Sequence, residues 1–267
     1  MHEEIPMSQP ALFIPHGGGP CFFMPDPAGN WTGLETFLRS LPEALPQRPA
    51  AILVVSGHWE TKGFAFTGAL TPALIYDYNG FPPDTYTLRY DAPGDPALAS
   101  RATALLQAAG LAAHIDPTHG LDHGVFVPMK VAFPEATIPV VEMSVDASLD
   151  PALHLEAGRA LAPLRDENVL IIGSGMSFHN MRGYGDPRFT APSDEFNAWL
   201  TASVKAAPAQ RDTALAQWAS APAGRISHPR EEHLIPLMVA AGASTQPGTC
   251  IYTQHVLKTA LSAFSFA

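Results

Sequence analysis

The sequence predicts an α/β fold: a single domain whose central sheet, mostly parallel or mixed, is flanked by helices. Three observations carry that expectation. Short runs of β-branched residues and leucine recur at 11–14 (ALFI), 52–55 (ILVV), 139–143 (PVVEM) and 169–172 (VLII), the composition of strands buried on both faces. Stretches with helical spacing separate them. Several runs also end in glycine and histidine, as in open sheets that bind ligands beyond the carboxyl ends of their strands.

Taken in order, residues 11–14 form the first strand and run into Pro15-His16-Gly17-Gly18-Gly19-Pro20. The turn has no GxGxxG and no Lys-Ser/Thr pair, so phosphate cradling is the weaker reading and a metal or polar ligand at His16 the better one. From Trp31 to Leu41, Leu34, Phe37, Leu38 and Leu41 share a helical face. The central strand, 52–55, is expected to stop at Ser56-Gly57 and to place His58 just past its end. Phe64-Ala65-Phe66 and the tyrosine- and proline-rich stretch Tyr76 to Pro83 then read as a structured loop. Its aromatic side chains suit either loop packing or the wall of a site for a ring-shaped substrate.

Asp95-Pro96 is an N-cap followed by proline at the first helical position, and Gly110 closes that helix. His119-Gly120-Leu121-Asp122-His123-Gly124 precedes an apolar segment, 125–133. A strand follows at 139–143, a helix from Pro151 to Leu164, and the strand 169–172, which passes through Gly173-Ser174-Gly175 to His179. Ser193 is placed to cap a helix from Asp194 to Val204. Residues 215–219 suit a short helix, and His228 to His233 leads into an apolar helix from Leu234 to Ala241 closed by Gly242. The tail, 257–266, partly alternates and reads as an edge strand. No repeat, low-complexity tract or linker interrupts the chain, so residues 1–267 are read as one catalytic domain.

Composition excludes several classes. Acidic residues outnumber basic ones 25 to 15, for a net charge of −10, which argues against nucleic acid and anionic membrane partners. Two cysteines, Cys21 and Cys250, give no disulfide framework and no CxxC zinc pattern. The N-terminus, Met1-His2-Glu3-Glu4, shows no basic-then-apolar leader, and no apolar run reaches membrane-spanning length. A cytoplasmic protein is expected, and a homo-oligomer is compatible with everything above.

Eleven histidines is a high count for 267 residues. A histidine packed at a strand end would explain any one of His16, His58 and His179. It does not explain all three, because strand ends of one parallel sheet share a rim. His123, His228 and His233 lie in loops or helix starts that can reach the same rim. Imidazoles from separate elements with carboxylates nearby suit Zn or non-haem Fe(II). There is no HExxH and no G-x-S-x-G elbow.

The motifs PALFIPHGGGP, ILVVSGHWET, YDYNGFPPDTY, GLDHGVFVPMK, VLIIGSGMSFHN and HPREEHLIPL together resemble the class III extradiol ring-cleavage dioxygenases, and most of all their DOPA-type branch. They run in the family's order from about residue 11 to 242. The resemblance implies a mononuclear non-haem metal, Fe(II) for ring cleavage with zinc in some relatives. It implies as substrates a small aromatic diol (DOPA or a related catechol) and O2, and as product a muconic semialdehyde. By motif, His16 and His58 match two metal ligands. The third ligand falls on Glu231-Glu232-His233; His233 is assigned, with Glu232 as the alternative. His179 matches the acid/base histidine, His123 a histidine that contacts substrate or oxygen, and His228 and Tyr78 are expected to line the pocket. Two rivals stand beside this reading: a zinc hydrolase on the same scaffold, since fold does not fix chemistry, and a metal-binding interaction protein without catalysis. The joint presence of His123 and His179 speaks against the second, which needs no acid/base pair.

Overall fold

Strand and helix follow from where the apolar side chains can be buried. The computed structural model describes residues 8–267; the N-terminal tetrapeptide discussed above lies outside the described residues. The elements are, in chain order, β1 (Ala11–Pro15), α1 (Thr32–Ala44), β2 (Ala51–Thr61), β3 (Phe64–Thr67), α2 (Pro96–Ala108), β4 (Ala113–Asp116), α3 (His123–Ala132), β5 (Val140–Asp146), α4 (Pro151–Leu161), α5 (Pro163–Asp166), β6 (Val169–Gly175), α6 (Thr190–Lys205), α7 (Pro208–Ala216), α8 (Gly224–Ser227), α9 (Ile235–Gly242), β7 (Thr249–Val256) and β8 (Thr259–Phe266).

All eight strands join one sheet in the order β4-β3-β5-β2-β6-β1-β8-β7. Its centre, β5-β2-β6-β1, is parallel throughout. The flanks are antiparallel where β3 meets β5 and where β8 meets β1 and β7. The sheet is therefore mixed, with a parallel heart. Alternation along the central strands divides the core between its two faces. Phe13, Leu53, Val55 and Ile171 pack with α2, α4, α6, α7 and α9, and Leu12, Ile14, Val54 and Ile172 pack with α1 and α3. No helix among the described residues is long and apolar enough to cross a membrane.

Several local expectations hold with their physical reasons. Asp95 caps α2 by accepting from the backbone N–H groups of Ala97 (3.0 Å) and Leu98 (2.9 Å). Gly110, just past the helix, takes a left-handed φ of +80°. Others need correction. Residues 64–67 are a strand, not loop, paired with β4 and β5. β2 does not end at Ser56-Gly57 but continues to Thr61 through an irregularity in its pairing with β5. α6 begins at Thr190, and Ser193 lies inside it, accepting from the Ala260 N–H rather than capping. The helix expected over 151–164 breaks at Ala162-Pro163 into α4 and α5. The C-terminal strand β8 is interior; the edge is β7.

Candidate active site

Sheet order explains why three distant histidines meet. β6 lies between β2 and β1, so the carboxyl ends that carry His58, His179 and His16 are adjacent. His16 follows β1 directly, with its N–H bonded to the Gly175 carbonyl (3.1 Å). His58 sits in the irregular part of β2. His179, four residues past β6, donates its backbone N–H to the Ser227 carbonyl (3.0 Å). The glycines before these histidines serve close approach as well as turning. A Cβ at Gly57 would come within 2.6 Å of the Glu232 carbonyl oxygen, and one at Gly175 would collide with that of His233. The segment leading into α9 is thereby pressed onto the strand ends, and the His233 carbonyl accepts from the Met176 N–H (2.9 Å).

That packing brings His233 beside the others. Its Nε2 lies 3.2 Å from Nε2 of His58, which lies 3.3 Å from Nε2 of His16. Burial, and then the neighbouring imidazoles, hold His16 and His58 well below the ordinary histidine value. Burial likewise lowers His233, to about 4, against the pull of Glu232. Three neutral imidazoles thus aim lone pairs at one point, an arrangement that repels itself unless a cation sits between them. The donor set fits a divalent transition metal held by imidazole.

Two carboxylates set the orientation of the rings. Asp77 Oδ1 accepts from the His123 backbone N–H (3.0 Å) and from His123 Nδ1 (2.8 Å), while its Oδ2 lies 3.5 Å from His58 Nδ1. Burial would raise this carboxyl, but the hydrogen bonds from His123 win and hold it at about 2. Glu232 Oε1 faces Nδ1 of His233 (3.1 Å) and of His179 (3.2 Å), whose rings are stacked at 3.4 Å. Burial opposes ionisation here too, and the hydrogen bonds from His179 and His233 hold Glu232 well below the usual carboxylate range. Arg230, clamped to Glu60, stands 3.5 Å from Oε2 of Glu232. Carboxylates on Nδ1 fix the tautomer and leave Nε2 as the free nitrogen. Neither Asp77 nor the orienting role of Glu232 was legible in the sequence, since the first depends on the distant His123 and His58 and the second on bridging His233 to the distant His179.

The histidines floor a cavity of about 370 Å³, at the small end of ligand pockets (~300–1,000 Å³). His16, His58, His123, His179 and His233 all line it, as does Tyr78. The phenol of Tyr78 donates to the Thr85 carbonyl (2.6 Å), so the cavity sees its ring. Trp31, Asn79, Phe81, Met176, Met181, Tyr184 and Leu257, not singled out from the sequence as site residues, also form the walls.

His228 requires correction. It is fully buried and does not line the cavity. Its Nε2 donates to the Ser177 carbonyl (3.0 Å), its ring packs edge-on against Phe196 and Trp218, and burial lowers it to about 3. It braces the segment before His179 from behind.

The comparisons with known proteins decide the family. Residues 10–264 match the family model described as the catalytic LigB subunit of aromatic ring-opening dioxygenase. The chain belongs to the LigB family. It is an extradiol dioxygenase, an oxidoreductase that opens an aromatic ring with O2. LigB dioxygenases use a non-haem metal, and the histidine cluster is a place for one. The chain is similar to the dioxygenase tasH of Hapsidospora irregularis, 44% identical over 88% of this chain and 78% of that one. It is also similar to the 4,5-DOPA dioxygenase extradiol of Beta vulgaris, 37% identical over 87% and 86% of the two chains, and to that of Escherichia coli K12, 37% identical over 90% and 88%. Among solved structures, an uncharacterized Escherichia coli K12 protein, JW3007, superposes with a TM-score of 0.77 at 30% identity, covering 97% of this chain and 100% of its own.

Proposed function

We propose that this LigB dioxygenase opens a catechol beside its diol, using Fe(II) held by His16, His58 and His233, and releases a muconic semialdehyde. The convergence of three Nε2 atoms within the aromatic-walled cavity is the observation that carries this reading. His233 is the third ligand because its Nε2 joins the cluster, whereas Glu232 is spent on the Nδ1 atoms of His179 and His233. Bound there, the metal supplies Lewis acidity toward the catechol oxygens and activates O2.

The chain's own residues supply the rest. His179, with Nδ1 directed at Glu232, uses its free Nε2 to take the proton a catechol hydroxyl must lose, and later returns it. Glu232 stabilises the imidazolium formed in between, as a carboxylate does for any histidine it orients. His123, held at Nδ1 and at its backbone by Asp77, is fixed beside the cluster with its ring centroid 4.0 Å from that of His58. With its Nδ1–H given to Asp77, its Nε2 is left to accept a hydrogen bond from a substrate hydroxyl. Tyr78 and Phe81 present ring faces against which a planar diol packs.

The test is oxygen uptake by anaerobically Fe(II)-loaded protein supplied with catechols, with the yellow semialdehyde followed by absorbance. Stoichiometric O2 consumption with ring opening is expected. Hydrolysis of esters or amides by the Zn(II)-loaded protein, with every catechol left intact, would overturn the reading in favour of hydrolase chemistry.

A further inference from the structure

Accepting the catechol reading above, we propose that the diol this enzyme opens carries an uncharged, apolar substituent in place of a carboxylate or an amino-acid side chain. Among the described residues, no lysine or arginine lines the cavity, and the first seven residues contain neither. Carboxylate recognition is ordinarily built from arginine or lysine, and a buried charge without a partner is costly. The one charged carboxylate in the wall is Asp77, which would repel a substrate anion. Nor is it free for a substrate ammonium, because its oxygens face His123 and His58.

Of the other polar side chains in the lining, the two phenols are turned away in the same manner, which leaves the exposed and uncharged Asn79 amide. The hydroxyls of Tyr78 and Tyr184 donate to the backbone carbonyls of Thr85 (2.6 Å) and Phe178 (2.7 Å). Away from the histidines the lining is mostly apolar, from Trp31, Phe81, Met181, Tyr184 and Leu257, with the neutral Asn79 amide beside them. Met181 is 72% exposed while lining the cavity. A thioether so placed offers an adaptable apolar contact to a substituent. Two cations neighbour wall residues in sequence, Arg182 and Lys258, and both are exposed and outside the lining. Lys258 acts electrostatically on Asp186, an acid outside the cavity. DOPA, which appears in the names of several relatives, carries both a carboxylate and an ammonium on its side chain; this cavity provides a partner for neither.

The test compares 4-tert-butylcatechol with 3,4-dihydroxyphenylacetate and DOPA on the Fe(II)-loaded full chain. Both kcat/KM from oxygen uptake and anaerobic binding by calorimetry are measured. The apolar catechol should win by about 100-fold, the order by which sites reject ligands that leave a polar group unpaired. Met181→Arg, at an exposed position that tolerates the change, should improve kcat/KM for 3,4-dihydroxyphenylacetate at least ~10-fold by adding a carboxylate partner. Equal or better use of the charged catechols by the unaltered protein would overturn the proposal. So would its loss in Arg182→Gln, which would make that residue the missing cation. Binding in the expected order with no ring opened would instead defeat the catechol dioxygenase reading and leave the cavity's preference standing.

Discussion

Two groups of histidine and carboxylate, one partly open to the cavity and one more deeply buried, lie side by side, built from the same residue types and put to different ends. In one, Asp77 and Glu232 face imidazoles at the cavity. In the other, Asp122 and Glu142 face each other beneath it, with His119 stacked on Trp59 and its Nε2 3.6 Å from Glu142 Oε1. Each group gathers three possible metal-donor atoms within 4.8 Å. Their charges diverge because their partners differ. Asp77 is held at about 2 by His123 despite its burial. Burial, and then Glu142, push Asp122 well above its ordinary value, and burial raises Glu142 to about 7 against hydrogen bonds from Asp122. Two carboxyls crowded in a dry pocket resist ionisation; a carboxylate among imidazoles stays ionised and orients them. The second group has a mechanical role: Glu142 Oε2 accepts from the Asp122 N–H (3.0 Å) and Ser56 donates to Asp122 Oδ1 (2.9 Å). This fixes the start of α3, where His123 stands. Access to the cavity, more than residue type, separates the active cluster from its support.

Metal content is the largest effect and the most direct way to break the comparison. The protein should bind one metal per chain. His58→Ala should lose affinity by more than the ~10–100-fold that removing an outer-shell partner costs. Glu142→Gln should keep its metal. Elemental analysis and competition with a chelator check all three, and a second metal that disappears in Glu142→Gln would show that the lower group is a site as well.

Catalysis sharpens the contrast inside the upper cluster. His179→Gln should retain metal and bind an apolar catechol, while turnover falls ~10²–10⁴-fold, the usual worth of a general acid or base. An amide can hydrogen-bond but cannot carry the proton. Iron content and kcat measured on one preparation decide the matter; activity lost only in proportion to iron would make His179 a ligand.

The parts of this arrangement that could be read from sequence are those set by local pattern. Runs such as 52–55 and 169–172 are buried on both faces and stand out as strands, and the histidines after them follow from the chain itself. β3 and β4 are four residues each, too short for a period to register. β7 has three consecutive exposed polar residues, Thr253, Gln254 and His255, and only Tyr252 and Val256 buried, so no clean alternation marks this edge strand. α3 is buried nearly all round, so it shows no amphipathic stripe. The ring-orienting carboxylates escaped because a hydrogen bond between Asp77 and His123 spans 46 residues, and nothing local marks it. His228 looked like the other histidines; only its packing against Phe196 and Trp218 shows that it faces the core.

The smallest expected effect tests the raised carboxyl of Glu142 directly, through stability and pH. Glu142 is fully buried and its carboxyl is raised from 4.5 to about 7. Below about 4.5 the folded and unfolded chains both hold the proton, and the pair costs nothing. As pH rises through that value, the unfolded chain releases a proton that the folded chain keeps, so folding loses stability until about pH 7, where the folded group ionises too. The loss is on the order of 3 kcal/mol for a shift of this size, and it falls in the opposite direction from the acid sensitivity conferred by Asp77. Glu142→Gln removes the titration of this group while its amide oxygen can still accept from the Asp122 N–H. Urea midpoints of metal-free protein should therefore show the variant less favoured at pH 4.5 and gaining on the parent up to pH 7. Parallel curves for the two proteins would mean that burial does not raise the Glu142 carboxyl, and that the lower group is ionised as the upper one is.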